Sequence, residues 1–344
     1  MLLHGIFPPI TTPFYADGSV YYKKLEHNVE RYSKTPVAGV VVLGSTGESI
    51  LLSDQERRDV FKCAHEHAAP EKVLVAGTGI ESAAETLRLT EYAASLGYDV
   101  AMVRTPHYYK RQMLPANMLA FYRTVADHSP LPVIIYNFPQ ATGYDIPAEV
   151  VIELAEHPNL IGIKESAGVI EKVKKMVEAT RQVKRTATVT EVFSAVTPRM
   201  LAAAGNGDAL PASSLGGTAV AAPPKLKTRT KEVGCQVLVG SAHLLKDSLE
   251  VGAVGAILAF ACAAPTACYE IYAAWKEGDA ALAAEKQKRI VEASLKVGGE
   301  LGIPGIKYAM DLNGYYGGPS RLPLLPLSAD QKAVVERLMA DIRN

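Results

Sequence analysis

Eight short β-branched runs, alternating with longer stretches of helical spacing, constrain this chain more than any other feature. The runs cover 5–10, 39–43, 73–76, 100–103, 133–137, 160–164, 236–239 and 254–259. Helical patterns occupy 22–33, 53–68, 83–96, 113–128, 148–156 and 170–181. Ser53, with Glu56 three residues on, forms a capping box at the start of the second of these. Strands separated by helices of about ten to fifteen residues build βαβ units and a parallel sheet. Eight of them predict an α/β fold closed into a (β/α)8 TIM barrel.

Two segments depart from that rhythm. About fifty residues, at roughly 185–234, separate the sixth helix from the seventh strand, where a link of about 2–6 would suffice. The stretch is rich in Ala, Thr, Gly and Pro, and 189–204 reads as one helix. A helix-to-strand link belongs to the amino-terminal face of a barrel, away from the usual place of catalysis. The insertion is therefore expected to serve structure, assembly or regulation. Beyond the eighth strand, helical patterns over 264–276, 279–297 and 328–343 predict a C-terminal helical extension. The expected organisation is a barrel over 1–263, interrupted at about 185–234, and an extension over 264–344.

With 344 residues, 48% of them hydrophobic, the chain can bury one large core. Lys plus Arg equals Asp plus Glu at 36 each, which argues against nucleic acid or an anionic membrane as partner. Cys63, Cys235, Cys262 and Cys268 show no C-x-x-C pair and read as reduced thiols of a cytoplasmic protein. The opening residues lack a basic region and are broken by Pro8 and Pro9, unlike a signal peptide. The apolar run over 253–267 is interrupted by Gly255 and Pro265 and is too short to span a bilayer.

The chemistry gathers at the carboxyl ends of the strand runs, where barrels place it. The run Leu160-Ile161-Gly162-Ile163-Lys164 ends in a lysine directly after residues apolar enough for a buried parallel strand. Burial disfavours an ammonium and so favours the neutral amine that attacks a carbonyl to form a Schiff base. The second run ends in Gly44-Ser45-Thr46-Gly47-Glu48. It is neither a G-x-G-x-x-G nor a P-loop, but it offers backbone N–H groups and two hydroxyls suited to a carboxylate. Tyr136 follows the apolar 133–135 and is a candidate proton shuttle, since carbinolamine formation and dehydration both require one.

Four motifs together resemble the dihydrodipicolinate synthase and N-acetylneuraminate lyase superfamily of class I aldolases. They are the G-S-T-G-E turn, Thr105-Pro106-His107-Tyr108, Tyr136-Asn137-Phe138-Pro139, and Gly162-Ile163-Lys164-Glu165, in the family's order. The resemblance implies that Lys164 forms an imine with pyruvate and that Tyr136 is the acid/base. Ser45 then takes the place of the hydroxyl linking that tyrosine to a second one, and Thr46, with Gly47 of the same turn, holds the substrate carboxylate. Tyr108 is implied as the second tyrosine, reaching into a neighbouring subunit's site in a homotetramer built as a dimer of dimers. Gly240 and Ile257 are implied to line the pyruvate pocket. Neither cofactor nor metal is implied.

Two departures narrow the reading. The synthases carry an arginine in Y-N-x-P-x-R-T-G; here Ala141 stands in its place and cannot make a bidentate contact with a carboxylate. The tail Gly302-Ile303-Pro304-Gly305-Ile306-Lys307 and the segment Val237-Leu238-Val239-Gly240-Ser241-Ala242 resemble the 4-hydroxy-2-oxoglutarate aldolase branch. The expected activity is that of this branch, with pyruvate and an aldehyde as partners and dihydrodipicolinate synthesis as the alternative. A metal-dependent aldolase is disfavoured because His65 and His67, two apart on a helix, do not share a face. A non-catalytic 2-oxo acid sensor would not need Tyr136 and Tyr108.

Overall fold

The barrel expected from the sequence is present in the computed structural model, which describes residues 1–205 and 226–342. Its strands are β1 (Gly5–Phe7), β2 (Gly39–Val42), β3 (Val73–Gly77), β4 (Val100–Arg104), β5 (Val133–Asn137) and β6 (Leu160–Glu165). An inserted pair follows, β7 (Arg185–Thr190) and β8 (Thr228–Val233), and then β9 (Gln236–Val239) and β10 (Gly255–Ile257). The eight barrel strands are parallel and hydrogen-bonded in the order β1-β10-β9-β6-β5-β4-β3-β2. Between the two ends of that series, Ala38 N–H donates to the carbonyl of Ile6 (3.0 Å), Val41 to Pro8 (2.9 Å) and Ile10 to Val41 (2.9 Å), closing the ring. Strand β1 is shorter than the expected 5–10 because Pro8 and Pro9 bring no N–H to the ladder.

Alternation along the strands splits the core into two layers. Phe7, Val41, Val75, Met102, Ile134 and Leu238 fill the barrel interior. Their neighbours Val40, Val42, Leu74, Val103 and Ile135 pack outward against the helices. Each such side chain contributes about 1.5–3 kcal/mol on burial.

One irregularity in β6 decides where its last residues point. Val133 pairs with Leu160 but Ile134 pairs with Gly162, so Ile161 is the extra residue of a β-bulge. Ile161 consequently lies in the inner layer and Ile163 in the outer one, and Lys164 is turned into the barrel. Only glycine suits position 162, since a Cβ there would stand 2.1 Å from the carbonyl oxygen of Gln236.

The insertion differs from its expected form. The pattern over 189–204 is not one helix: Val189 lies inside β7 and pairs with Arg229 of the antiparallel β8. Thr, Ala and Val alternate through β7 with a period of two, which suits a strand. A helix begins only at Pro198 (Pro198–Gly205), with the Thr197 hydroxyl accepting from the N–H of Met200 as its cap. The Thr197 hydroxyl also donates to the carbonyl of Pro70, and Arg199 donates to the carbonyls of Ala68, Ala69 and Lys72. These acceptors precede β3, so the insertion sits on the amino-terminal face, as its place in the chain predicts.

The extension holds helices Pro265–Lys276, Ala280–Ala293, Gly302–Leu312 and Ala329–Met339. The expected helix over 279–297 changes its hydrogen bonding at Ser294, where a π-helical turn runs to Glu300. Both halves of the Ser53–Glu56 capping box are formed. Among the described residues no helix is long and apolar enough to cross a membrane.

Candidate active site

The strand ends converge on a cavity of about 280 Å³ lined by Ser45, Thr46, Tyr136, Lys164, Gly240 and Ile257. Lys164 is 5% exposed, and its Nζ lies 4.0 Å from the centroid of the Tyr136 ring. Among the described residues no carboxylate pairs with it. Its neighbour Glu165, on the other side of the strand, is fully engaged. That carboxylate accepts from Asn137 Nδ2 (2.9 and 3.1 Å) and the Ala167 N–H (2.7 Å), and it faces the Lys172 ammonium at 3.1 Å. The negative charge closest in sequence is thus consumed elsewhere, and the Lys164 amine is left to the cavity.

The Tyr136 hydroxyl shares a hydrogen bond with that of Ser45 at 3.2 Å. Its ring stacks with Phe138 at 5.9 Å between centroids. Gly240 is forced by close packing: a Cβ there would lie 2.0 Å from Ser166 Oγ.

The turn bearing Ser45 and Thr46 is held from several sides. Leu43 (φ 62) and Glu48 (φ 54) adopt left-handed backbone conformations on either side of it, which cost non-glycine residues about 1–2 kcal/mol each. Thr12 donates its hydroxyl to the Gly47 carbonyl (2.6 Å). The Glu48 carboxylate is buried and meets two groups from the C-terminal extension. Lys307 Nζ lies 2.5 Å from one oxygen, and the Arg321 N–H donates to the other at 2.8 Å. Lys307 also donates to the carbonyls of Thr12 (2.9 Å) and Pro319 (2.8 Å). Burial pushes its ammonium pKa down, and Glu48 opposes that shift. The Arg321 guanidinium clasps Glu56 (2.6 and 3.0 Å), holding that carboxyl down at about 2. The extension is a strap across the turn.

Of the residues expected from the sequence, Gly47 and Tyr108 stand outside the cavity. Gly47 is buried within the turn, with Ile10 O 3.0 Å from where a Cβ would stand. Tyr108 is 75% exposed, its N–H donating to Glu81 (3.0 Å), and it packs edge-on against Tyr109. Ser166, His243 and the Gly298-Gly299 pair also line the cavity and were not foreseen. Ser166 sits two residues after Lys164, and its buried hydroxyl has no hydrogen-bond partner among the described residues. Burial lowers the His243 pKa. The glycine pair lies in the π-helical turn, which no local pattern announces.

A second, largely apolar cavity of about 280 Å³ shares Ser45, Tyr136 and Phe138 with the first. Ala141 lines it, with Arg104 and His107. Arg104 donates to the Gly79 carbonyl (2.8 Å) and meets Glu81, while its buried Nε has no partner among the described residues. As for metals, Glu26, Glu30 and His67 bring ligand atoms within 4.8 Å of one another among the described residues. They lie on outer helices, with nothing further to mark a site. His65 faces the Tyr98 ring, whereas His67 lies 3.6 Å from Glu26, so the two imidazoles part company.

A model of the dihydrodipicolinate synthetase family matches residues 2–209 and 223–342. A 4-hydroxy-tetrahydrodipicolinate synthase from Methanothrix thermoacetophila is 30% identical over 332 residues, covering 96% of this chain and 94% of that protein. One of the same name from Methanococcoides burtonii is 30% identical over 341 residues, with 99% of each covered. Among solved structures, YagE, a prophage protein of the dihydrodipicolinic acid synthase family from E. coli K12 in complex with pyruvate, superposes with a TM-score of 0.79. It is 27% identical over 99% of each chain. The chloride-inhibited dihydrodipicolinate synthase from Acinetobacter baumannii, complexed with pyruvate, gives the same score at 26% identity, with 99% of each chain covered.

Proposed function

The chain belongs to the dihydrodipicolinate synthetase family and is a lyase of it, and from that premise we propose a class I aldolase acting on 4-hydroxy-2-oxo acids, with pyruvate as the 2-oxo acid partner. The observation that carries this reading is the Lys164 amine, without a carboxylate partner among the described residues, against the Tyr136 ring, with the Tyr136 hydroxyl bonded to Ser45. Lys164 Nζ attacks the 2-oxo carbon while Tyr136 passes a proton to the departing oxygen, which leaves as water. The iminium then accepts the electron pair of the C3–C4 bond. Tyr136 takes the proton of the C4 hydroxyl, and the aldehyde departs, leaving the enamine of pyruvate. Protonation at C3 and hydrolysis free the lysine. Thr46 holds the substrate carboxylate with the hydroxyl and backbone of its turn, Gly47 shaping that turn from outside the cavity, while Gly240 and Ile257 wall the pyruvate methyl side.

For the aldehyde we propose glyoxylate, which makes the substrate 4-hydroxy-2-oxoglutarate. Ala141 cannot bind a carboxylate, and the guanidinium bordering the adjoining cavity is Arg104, with its free Nε; we assign it to the glyoxylate carboxylate. The names of the relatives favour condensation of pyruvate with aspartate semialdehyde as the second reading. Tyr108, exposed beside Tyr109, completes the hydroxyl relay of a neighbouring copy in a homotetramer. The four free cysteines suit a cytoplasmic enzyme.

Borohydride reduction in the presence of pyruvate, followed by intact-mass measurement and peptide mapping, tests the chemistry. An adduct on Lys164 is expected; no adduct, or one on another lysine, overturns the mechanism. Turnover of 4-hydroxy-2-oxoglutarate against aspartate semialdehyde then separates the two readings. Arg104→Gln should raise KM for the former while trapping of pyruvate is unchanged.

A further inference from the structure

The barrel's amino-terminal mouth, opposite Lys164, holds a cavity of about 270 Å³ that the proposed reaction does not use. His4, just before β1, and Val37 and Ala38, just before β2, form its floor. Phe193, Ser194 and Ala195, which follow β7, form the roof, and the helix Pro265–Lys276 supplies Tyr272 and Lys276 as a wall.

The charges around this space are unbalanced. His4 is half-buried and makes no hydrogen bond among the described residues. Its imidazole is pushed down to about 4, chiefly by burial and then by the ammonium groups of Lys231 and Lys276. Burial also lowers Lys231, and Lys276 adds to the effect. Neither lysine meets a carboxylate among the described residues. Lys231 instead lies over the Phe193 ring at 5.5 Å, beside Arg229 at 3.5 Å. Lys72, also in the lining, donates to the carbonyls of Thr35 (2.7 Å) and Val37 (3.0 Å). Glu71 is the one carboxylate in the lining among the described residues. Like charges gathered in a partly dehydrated space raise one another's free energy unless a counter-charge is present. Tyr272, whose phenol burial pushes up to about 12, stays a neutral hydrogen-bond donor beside them.

We propose that this cavity binds a small organic anion carrying two negative charges, held by His4 and Lys276 of its lining, with Lys231, beside Phe193 of the roof, adding its charge from the rim. The space lies at the lower end of small-molecule pockets, which run to about 300–1,000 Å³, and it admits a dicarboxylate or a small phosphate monoester. It opens on the face opposite the lysine and so serves a ligand other than the substrate. The insertion, which the barrel does not need for closure, is what roofs it.

The test is titration calorimetry on the full chain with succinate and, separately, inorganic phosphate, each against sodium chloride at matched ionic strength. Saturable binding of either dianion is expected, and which one binds identifies the anion chemistry. The Lys231→Ala/Lys276→Ala double variant should bind at least tenfold more weakly. Lys231→Arg/Lys276→Arg should retain binding, and urea unfolding of both should match wild type. In parallel, the His4 imidazole, followed by NMR, should titrate at higher pH when the cavity is filled. No binding beyond the chloride control, undiminished binding by the alanine variant, or an unmoved His4 titration overturns the proposal.

Discussion

Replacing Lys307 by Met keeps the apolar stem and removes one charge from the strap. The ammonium that lies 2.5 Å from Glu48 disappears, together with two bonds to the carbonyls of Thr12 and Pro319. Both partners of the ion pair are about 1% exposed or less, so no water replaces the lost contact. Leaving one buried charge unpaired costs about 3–5 kcal/mol, and the Arg321 N–H alone remains to Glu48. Glu48→Gln removes the stranded charge from the other side. If the loss in Lys307→Met arises from stranding, the double variant should recover most of it, with a coupling of at least ~2 kcal/mol between the two sites. Urea unfolding of wild type, both single variants and the double variant measures this. A second readout is the rate of borohydride trapping at Lys164, because the Glu48 backbone sets the turn carrying Ser45 and Thr46. Lys307→Met should slow trapping about tenfold or more. Additive losses within ~0.5 kcal/mol, or an unchanged trapping rate, would refute the reasoning.

Lys164→Ala should abolish turnover with an unchanged circular dichroism spectrum, and retained activity would remove the Schiff base from the reaction. Tyr136→Phe should slow turnover by roughly 10²–10⁴-fold, and an unaltered kcat would place the proton shuttle elsewhere. Gly162→Ala drives a methyl group against the Gln236 carbonyl; it should cost ~3 kcal/mol or more, and a variant as stable as wild type would mean the bulge is not needed. Burial raises the Asp99 carboxyl to about 6 against an ordinary 3.8, opposed by the Leu74 N–H and Arg199. The folded state therefore binds the proton more tightly, and its benefit is present below pH ~4 and lost as pH rises through about 6. The two-unit shift amounts to ~3 kcal/mol. Asp99→Asn should flatten that part of the stability profile between pH 4 and 7; an unchanged slope assigns it to another group.

The barrel was legible because a parallel strand buried on both faces announces itself as an apolar run, as in β3 and β5. The four motif residues Ser45, Thr46, Tyr136 and Lys164 were legible because strand ends are where such a fold puts its chemistry. What set their directions was not. The bulge at Ile161 is a matter of register against β5 and turns Lys164 inward, although alternation from Ile163 in a regular strand says nothing of that shift. The β7–β8 ladder pairs residues about forty apart in sequence; β7 alternates as a strand does, but β8 is polar and nearly all exposed, so no hydrophobic pattern marks its partner. The helix Gly302–Leu312 opens with Gly302, Pro304 and Gly305, residues that ordinarily signal a turn. Its Lys307 meets Glu48 only through the closed fold.

The strap gives the order of synthesis a structural consequence. A ribosome delivers Glu48, the hydroxyls of Ser45 and Thr46, and Lys164 long before Lys307 and Arg321 emerge. During that interval all the strands can associate, yet the carboxylate at the heart of the turn lacks its two partners from the extension, and Thr12 is left to brace the turn beside the left-handed residues. The nascent barrel thus acquires its strands before the brace that holds this turn. A chain interrupted before Lys307 would leave the Glu48 carboxylate without its ammonium partner and the Ser45-Thr46 turn without the segment that braces it.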